Sequence, residues 1–302
     1  MDTARGVLSR RGGLVFLAPA LIFIAIFILF PFVWVFFLSF TNQTLTGATA
    51  VQWKFVGLAN YRDLLDFSKW MHSGEFGNAL VITLKYVVGS ALIGQVGLGL
   101  LIATLFNRRK GILREVLFTV VILAWIIPDV VIAFAWVAYL DRDFGTLNKI
   151  LHIFTPAQID WLLEHPLESI IVFNTWRGTA FSMLLFSSAL ATIPPSYLET
   201  AEVAGASAWQ KFRDILLPLI SSHILTDMIM ITLWTFNTFT PFLLTGGGPA
   251  FKTELMSIYT YRIAFKYFEF GRGGAIAVVV MLVNLTLALG YLAILRRQAV
   301  RT

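Results

Sequence analysis

From Gly12 to Trp53 the chain carries no Asp, Glu, Lys or Arg. Within that stretch the apolar run Leu14–Phe40 is longer than the roughly 20 residues a helix needs to cross a bilayer, and well beyond the 7–15 of a signal-peptide core. It therefore reads as a retained membrane span, with no cleavable signal peptide. The rest of the sequence agrees: 58% of the 302 residues are hydrophobic and 13% are charged, against roughly 45–50% and 25% in soluble domains. The 27 Phe and 9 Trp suit lipid-facing surfaces and membrane interfaces.

Six spans are expected, at about residues 14–40, 79–106, 115–140, 169–190, 219–244 and 273–295. The fold class is all-α: a polytopic membrane protein forming a single transmembrane domain over residues 1–302. The net charge of +6 is a topology signal rather than a nucleic-acid footprint, because many cations sit at the ends of apolar runs. Arg5, Arg10 and Arg11, then Arg108, Arg109, Lys110 and Arg114, then Lys211 and Arg213, then Arg296, Arg297 and Arg301 fall in alternate short segments. Positive charge stays on the cytoplasmic side, so both termini are expected inside. In span two, Gly89, Ser90, Gly94, Gly97 and Gly99 are expected to let helices approach closely.

Several chemistries are missing. The chain has no cysteine, hence no disulfide or thiolate metal site, and its four histidines are scattered. No G-x-x-x-x-G-K-[ST] phosphate loop occurs; GGGPAFKT at 246–253 lacks the Gly before Lys252 and reads as a turn after span five. The chain is thus expected to be no enzyme and to carry no cofactor or metal. Any ATP and Mg would be used by another chain.

The most informative segment is polar and lies between spans four and five: PPSYLETAEVAGASAWQKFRDILLP, residues 194–218. Ser196 and Glu199 have the spacing of a capping box, Gly205 suits a left-handed helix stop, and Ser207 with Gln210 form a second box. Trp209, Phe212, Ile215 and Leu216 recur at helical spacing as one apolar face, and Pro218 should end or kink the helix. This predicts a helix, a glycine turn and a second, amphipathic helix.

That segment resembles the cytoplasmic EAA loop of binding-protein-dependent ABC importer permeases, with its pattern E-A-A, D-G-A, I-x-L-P. Glu199, Ala201, Gly205, Ala206, Ile215, Leu217 and Pro218 match; Thr200 and Ala204 depart, where Ala and Asp are usual. FVGLANY at 55–61, LTGGGP at 244–249 and IYTYRIAF at 258–265 are similar to stretches of the maltose-type and glycerol-phosphate-type sugar permeases, and favour the maltose F-subunit type. The resemblance implies a type I importer permease in a prokaryotic cytoplasmic membrane. It would work with a second permease of the G-subunit type, two ATP-binding-cassette subunits holding ATP and Mg, an extracytoplasmic binding protein and a sugar, with no nucleic acid. The loop would be the coupling helix that docks on the ATPase, with Glu199 as charged contact, Gly205 as turn, and Trp209 and Phe212 as apolar anchors.

Substrate is expected near the bilayer midplane. Trp125 and Asp129 flank Pro128, which frees backbone groups tolerated where they face a cavity; Trp125 would stack on a sugar and Asp129 accept from a hydroxyl. Arg177 would bind an anionic group, or else pair with Asp129. Gly178 and Phe181 match cavity-facing positions of the similar permeases, and Thr235, Asn237 and Thr238 are polar groups in span five that also fall in their substrate region. The alternative is an ion-coupled secondary transporter using Asp129 and Arg177 as a relay. It leaves the capped segment unexplained. A membrane enzyme would need an acid cluster or metal site that the sequence does not supply.

Overall fold

The computed structural model describes residues 10–70, 72–106, 109 and 111–299; Arg5, Arg108, Lys110 and Arg301, on which the expected topology partly rests, lie outside the described residues. Among the described residues four helices are long and apolar enough to cross a membrane, or six if each bent pair counts as one. The chain divides into two compact units. One combines the N-terminal residues to Asp66 with Thr260–Met281, and the other holds Phe67–Tyr259 with Leu282–Thr302.

In the first unit, helix α1 spans Phe16–Leu38 and none of its apolar window is buried by the chain itself. It passes through a π turn at Ala25–Leu29, with Pro31 two residues beyond. A proline cannot donate to the carbonyl one turn back and its ring crowds that carbonyl, and the widened turn relieves both. The end of α1 is tied down by the 55–61 motif. The Asn60 amide donates to the Ser39 and Thr41 carbonyls at 2.8 and 2.9 Å, and the Tyr61 hydroxyl donates to Ser39 Oγ at 2.6 Å. These bonds satisfy carbonyls that a helix end leaves open. Arg272 adds an ion pair to Asp63 at 3.1 Å.

The second unit is built on α2 (Phe76–Phe106) and α5 (Pro166–Ala191). Their contact explains the glycine run of span two. A Cβ on Gly89 would touch Ile171, one on Gly94 would overlap Thr175, and one on Gly99 would lie 2.5 Å from Ser182 Cβ and 2.8 Å from the Met183 nitrogen. Gly97 alone of this group faces open space. Polar stitches cross the same contact: the Asn174 amide donates to Ser90 Oγ at 2.9 Å, and the Thr175 hydroxyl to the Ser90 carbonyl at 3.3 Å.

Span three, expected over 115–140, is broken at Pro128. It is two helices, α3 (Ile112–Ile126) and α4 (Asp129–Leu140), bent by 107°. Pro128 forces Ile127 out of the helical region to ψ 134°, as a residue before proline prefers. Span five, expected over 219–244, is found at Ser221–Thr245; its first helix, α8 (Ser221–Asn237), is followed by Thr238 in an extended conformation.

Between them lie α6 (Pro195–Val203) and α7 (208–219). The Ser196–Glu199 capping box does not form. The helix begins two residues sooner, with Pro194 at the cap and Pro195 in the first turn, where a fixed φ and a missing N–H cost nothing. The stop is as expected. Gly205 has φ +78°, its N–H donates to the Glu202 carbonyl at 3.0 Å, and the Ala206 N–H reaches the Ala201 carbonyl at 2.9 Å. Those two bonds make a Schellman motif. The second capping box also forms, Gln210 N–H to Ser207 Oγ at 3.3 Å and Ser207 N–H to Gln210 Oε1 at 2.7 Å. α7 contains a π turn at Phe212–Leu216, with Pro218 two residues on and the break at Ile220. Leu198, Leu216 and Ile220 bury against Ala103, Phe186, Ala189 and Leu190, joining this segment to the ends of α2 and α5.

Candidate functional site

A cavity of about 220 Å³ lies in the second unit, walled by Gln95 of α2, Trp125 of α3, Asn174, Arg177 and Gly178 of α5, and Ile231, Trp234, Thr235 and Thr238 at α8. Five of the residues singled out from sequence thus meet there: Trp125, Arg177, Gly178, Thr235 and Thr238. Phe181 stands directly behind the wall, its ring 4.8 Å from Trp234 and 6.1 Å from Trp125.

Asp129 makes the pair with Arg177 that is one of the two expectations from sequence. It does not line the cavity but accepts a hydrogen bond from Arg177 Nη2 in an ion pair, and another from Thr240 Oγ1 at 2.6 Å. Thr238 Oγ1 in turn donates to Thr240 Oγ1 at 3.5 Å. The chain kink at Pro128 is what puts the carboxylate there, since Asp129 opens α4 at the bend. So one carboxylate ties α4 to α5 and to the segment after α8. It also neutralises the cavity's only charged wall residue. Arg177 Nε is buried with no acceptor among the described residues.

Asn237 is also not in the cavity. It is exposed, and its side-chain amide exchanges hydrogen bonds with that of Asn284 at 3.1 and 3.0 Å. At about 100° per residue, Thr235 and Thr238 share a helix face and Asn237 lies on another. Asp227 is wholly buried beside Ser182, which removes it from any surface a second subunit could reach.

Four wall residues were not anticipated: Gln95, Asn174, Ile231 and Trp234. Gln95 is the one side-chain amide between Val87 and Phe106, and an amide inside a span either bonds another helix or faces a cavity. Its position depends on Gly178, because a Cβ there would overlap the Gln95 amide. The lining offers amides, hydroxyls and one guanidinium edge beside two indole faces. That combination can hydrogen-bond a polyhydroxylated solute while stacking against its apolar faces.

The 194–218 segment presents a second surface. Val203 is 91% exposed and Trp209 63% exposed on either side of the glycine turn, and Glu199 is exposed as well. Phe212, in contrast, packs against the core of its own chain. Lys211 bridges back to Glu202 across the turn at 2.8 Å, holding the two helices together.

Residues 95–300 match the family described as binding-protein-dependent transport system inner membrane component. The chain belongs to that family. It is 31% identical over 278 residues to the inner membrane ABC transporter permease protein YcjO of Escherichia coli (strain K12), covering 89% of each chain. It is 29% identical over 291 residues to the trehalose/maltose transport system permease protein MalF of Thermococcus litoralis, covering 93% of this chain and 92% of that one. A chain from the crystal structure of a bacterial ABC transporter involved in alginate import superposes with a TM-score of 0.78 at 22% identity, over 95% of this chain and 96% of that one. The protein is therefore a multi-pass inner-membrane permease with the importer-permease fold.

Proposed function

We propose that this permease is one of two membrane subunits of an ATP-driven importer of a carbohydrate or sugar derivative, and that it forms half of the translocation path by alternating access. The observation that carries the substrate class is the cavity lining: amides, hydroxyls and indole faces, with Arg177 neutralised by Asp129. The relatives' names agree, one handling trehalose and maltose. Both termini and the 194–218 segment would face the cytoplasm. That segment, through Glu199, Ala201, Val203, Gly205, Ala206 and Trp209, would dock on one of two ATP-binding-cassette subunits carrying ATP and Mg. Leu217 and Pro218 would set how α7 enters α8, and Phe212 would anchor the segment to its own chain. A second permease of the G-subunit type and an extracytoplasmic binding protein would complete the assembly. Residues 1–302 would act as one transmembrane domain.

The coupling reading is tested by co-purification in mild detergent from the native host, comparing wild type with Gly205→Arg. A Cβ at Gly205 meets nothing within 4 Å, so the variant's own chain suffers only the left-handed backbone cost of about 1–2 kcal/mol. An ATPase subunit should be retained with wild type and lost with the variant. Purification of the wild-type chain alone, under gentle extraction, would overturn the assignment. The co-purified binding protein would then be screened against neutral and acidic sugars.

A further inference from the structure

Gln95 closes a π-helical stretch of α2, Val87–Gln95. The π turns of α1 and α7 each lie just ahead of a proline, Pro31 and Pro218, but α2 contains no proline. A widened turn without that cause re-aims the side chains around it, and such turns concentrate at functional sites.

The side chain is aimed at the cavity. A Cβ on Gly178 would overlap the amide oxygen, carbon and nitrogen of Gln95 alike, so the whole amide rests broadside on the bare backbone of α5. Gln95 is 4% exposed and stands in the cavity wall. Other polar groups of the wall are already engaged within the protein. The Asn174 amide donates to Ser90, Arg177 to Asp129, and Thr238 to Thr240. The Gln95 amide makes no hydrogen bond among the described residues. An amide withdrawn from water and left unpaired is costly. That cost is offset only by a partner that enters the cavity.

We propose that Gln95 reads the substrate: its amide oxygen accepts from one sugar hydroxyl and its nitrogen donates to the adjacent one. An amide edge sets an acceptor beside a donor, and each hydroxyl can serve as either, so neighbouring hydroxyls complement it. Trp125 and Trp234 then cover the apolar faces of the ring. The assignment rests on the carbohydrate reading under Proposed function. It adds that α2 supplies the contact that selects for adjacent hydroxyls.

The test uses the whole importer with its binding protein in proteoliposomes, and labelled glucose, maltose, trehalose and sucrose as probes. Gln95→Met keeps the length of the side chain and removes both hydrogen-bonding atoms. No group of the protein loses a partner, so its unfolding midpoint should equal or exceed that of wild type. Uptake at subsaturating sugar should nevertheless fall about tenfold, the loss of two neutral hydrogen bonds. Gln95→Cys gives this cysteine-free chain a single thiol. A charged methanethiosulfonate reagent should label it, as read on this chain by mass spectrometry, and the transported sugar should slow that labelling. A lowered midpoint for Gln95→Met would make the amide a structural group. Undiminished uptake, or labelling indifferent to sugar, would mean that no sugar touches it. Each of these results overturns the proposal. If wild type takes up none of the four sugars, the carbohydrate reading falls and the contact falls with it. If wild type and Gln95→Met transport equally, the contact alone falls.

Discussion

Removing the Asp129 carboxylate should destabilise the second unit by an amount that its partial exposure sets. Breaking a fully buried ion pair by deleting one partner costs about 3–5 kcal/mol, and an exposed pair contributes about 0.2–1 kcal/mol. Arg177 is 21% exposed and Asp129 45% exposed, so the pair lies between these limits. The lost Thr240 bond adds about 0.6 kcal/mol, the average for hydrogen bonds between membrane helices. Together Asp129→Ala should cost about 2 kcal/mol, roughly 4–8 °C in unfolding midpoint. Much of that is the penalty of an uncompensated guanidinium at the cavity wall. Arg177→Met should therefore rescue it in part, and a double-mutant cycle should give a coupling of about 1 kcal/mol or more. Thr240→Val alone should cost only about 0.6 kcal/mol. Asp129→Ala should also leave the cavity with net positive charge, so binding-protein-stimulated ATP hydrolysis should fall for neutral sugars relative to acidic ones, and return with the double variant. The assay is Trp fluorescence during heating in one detergent, paired with ATPase rates in proteoliposomes. Strictly additive single and double variants would refute the reasoning, since they would mean that the carboxylate and the guanidinium do not sense each other.

Two further outcomes follow from local geometry. Gly99→Leu should cost about 1–3 kcal/mol or more through overpacking, because its Cβ already falls 2.5 Å from Ser182 Cβ and beside the Met183 backbone; the midpoint relative to Gly97→Leu, which meets open space, checks this. Ser207→Ala should lose the capping box at a cost of about 1 kcal/mol and weaken ATPase retention at raised salt, and Ser207→Asp, which restores an acceptor, should recover it; an alanine variant indistinguishable from wild type in both measures would show that the cap does not shape the docking surface.

The parts of this fold that were legible in the sequence are those decided within a few residues. The Gly205 stop and the Ser207–Gln210 box depend on local backbone bonds, and they form as read. The Ser196–Glu199 pattern was equally local and still failed, because Pro195 is an even better first-turn residue and moved the helix start. The break at Pro128 carried its signal in the proline, but not its size. At the 107° bend Asp129 meets Arg177 on α5 and Thr240 beyond α8, partners which no local pattern contains.

Helix phase accounts for the remaining difference at the cavity. Thr235 and Thr238 could be separated from Asn237 by counting 100° per residue, and the same count along α2 would have drawn attention to Gln95 as the one amide on a run otherwise packed by small residues. What the count cannot supply is which face of α2 meets α5. That choice is made by glycine. At 89, 94 and 99 the missing side chains let α5 press against α2, while the missing side chain at 178 on α5 makes room for the Gln95 amide. The close helix contact and the polar wall of the cavity are thus two results of the same absences. For that reason a substitution at Gly178 should be read as a change to the cavity wall through Gln95, not only as a packing defect.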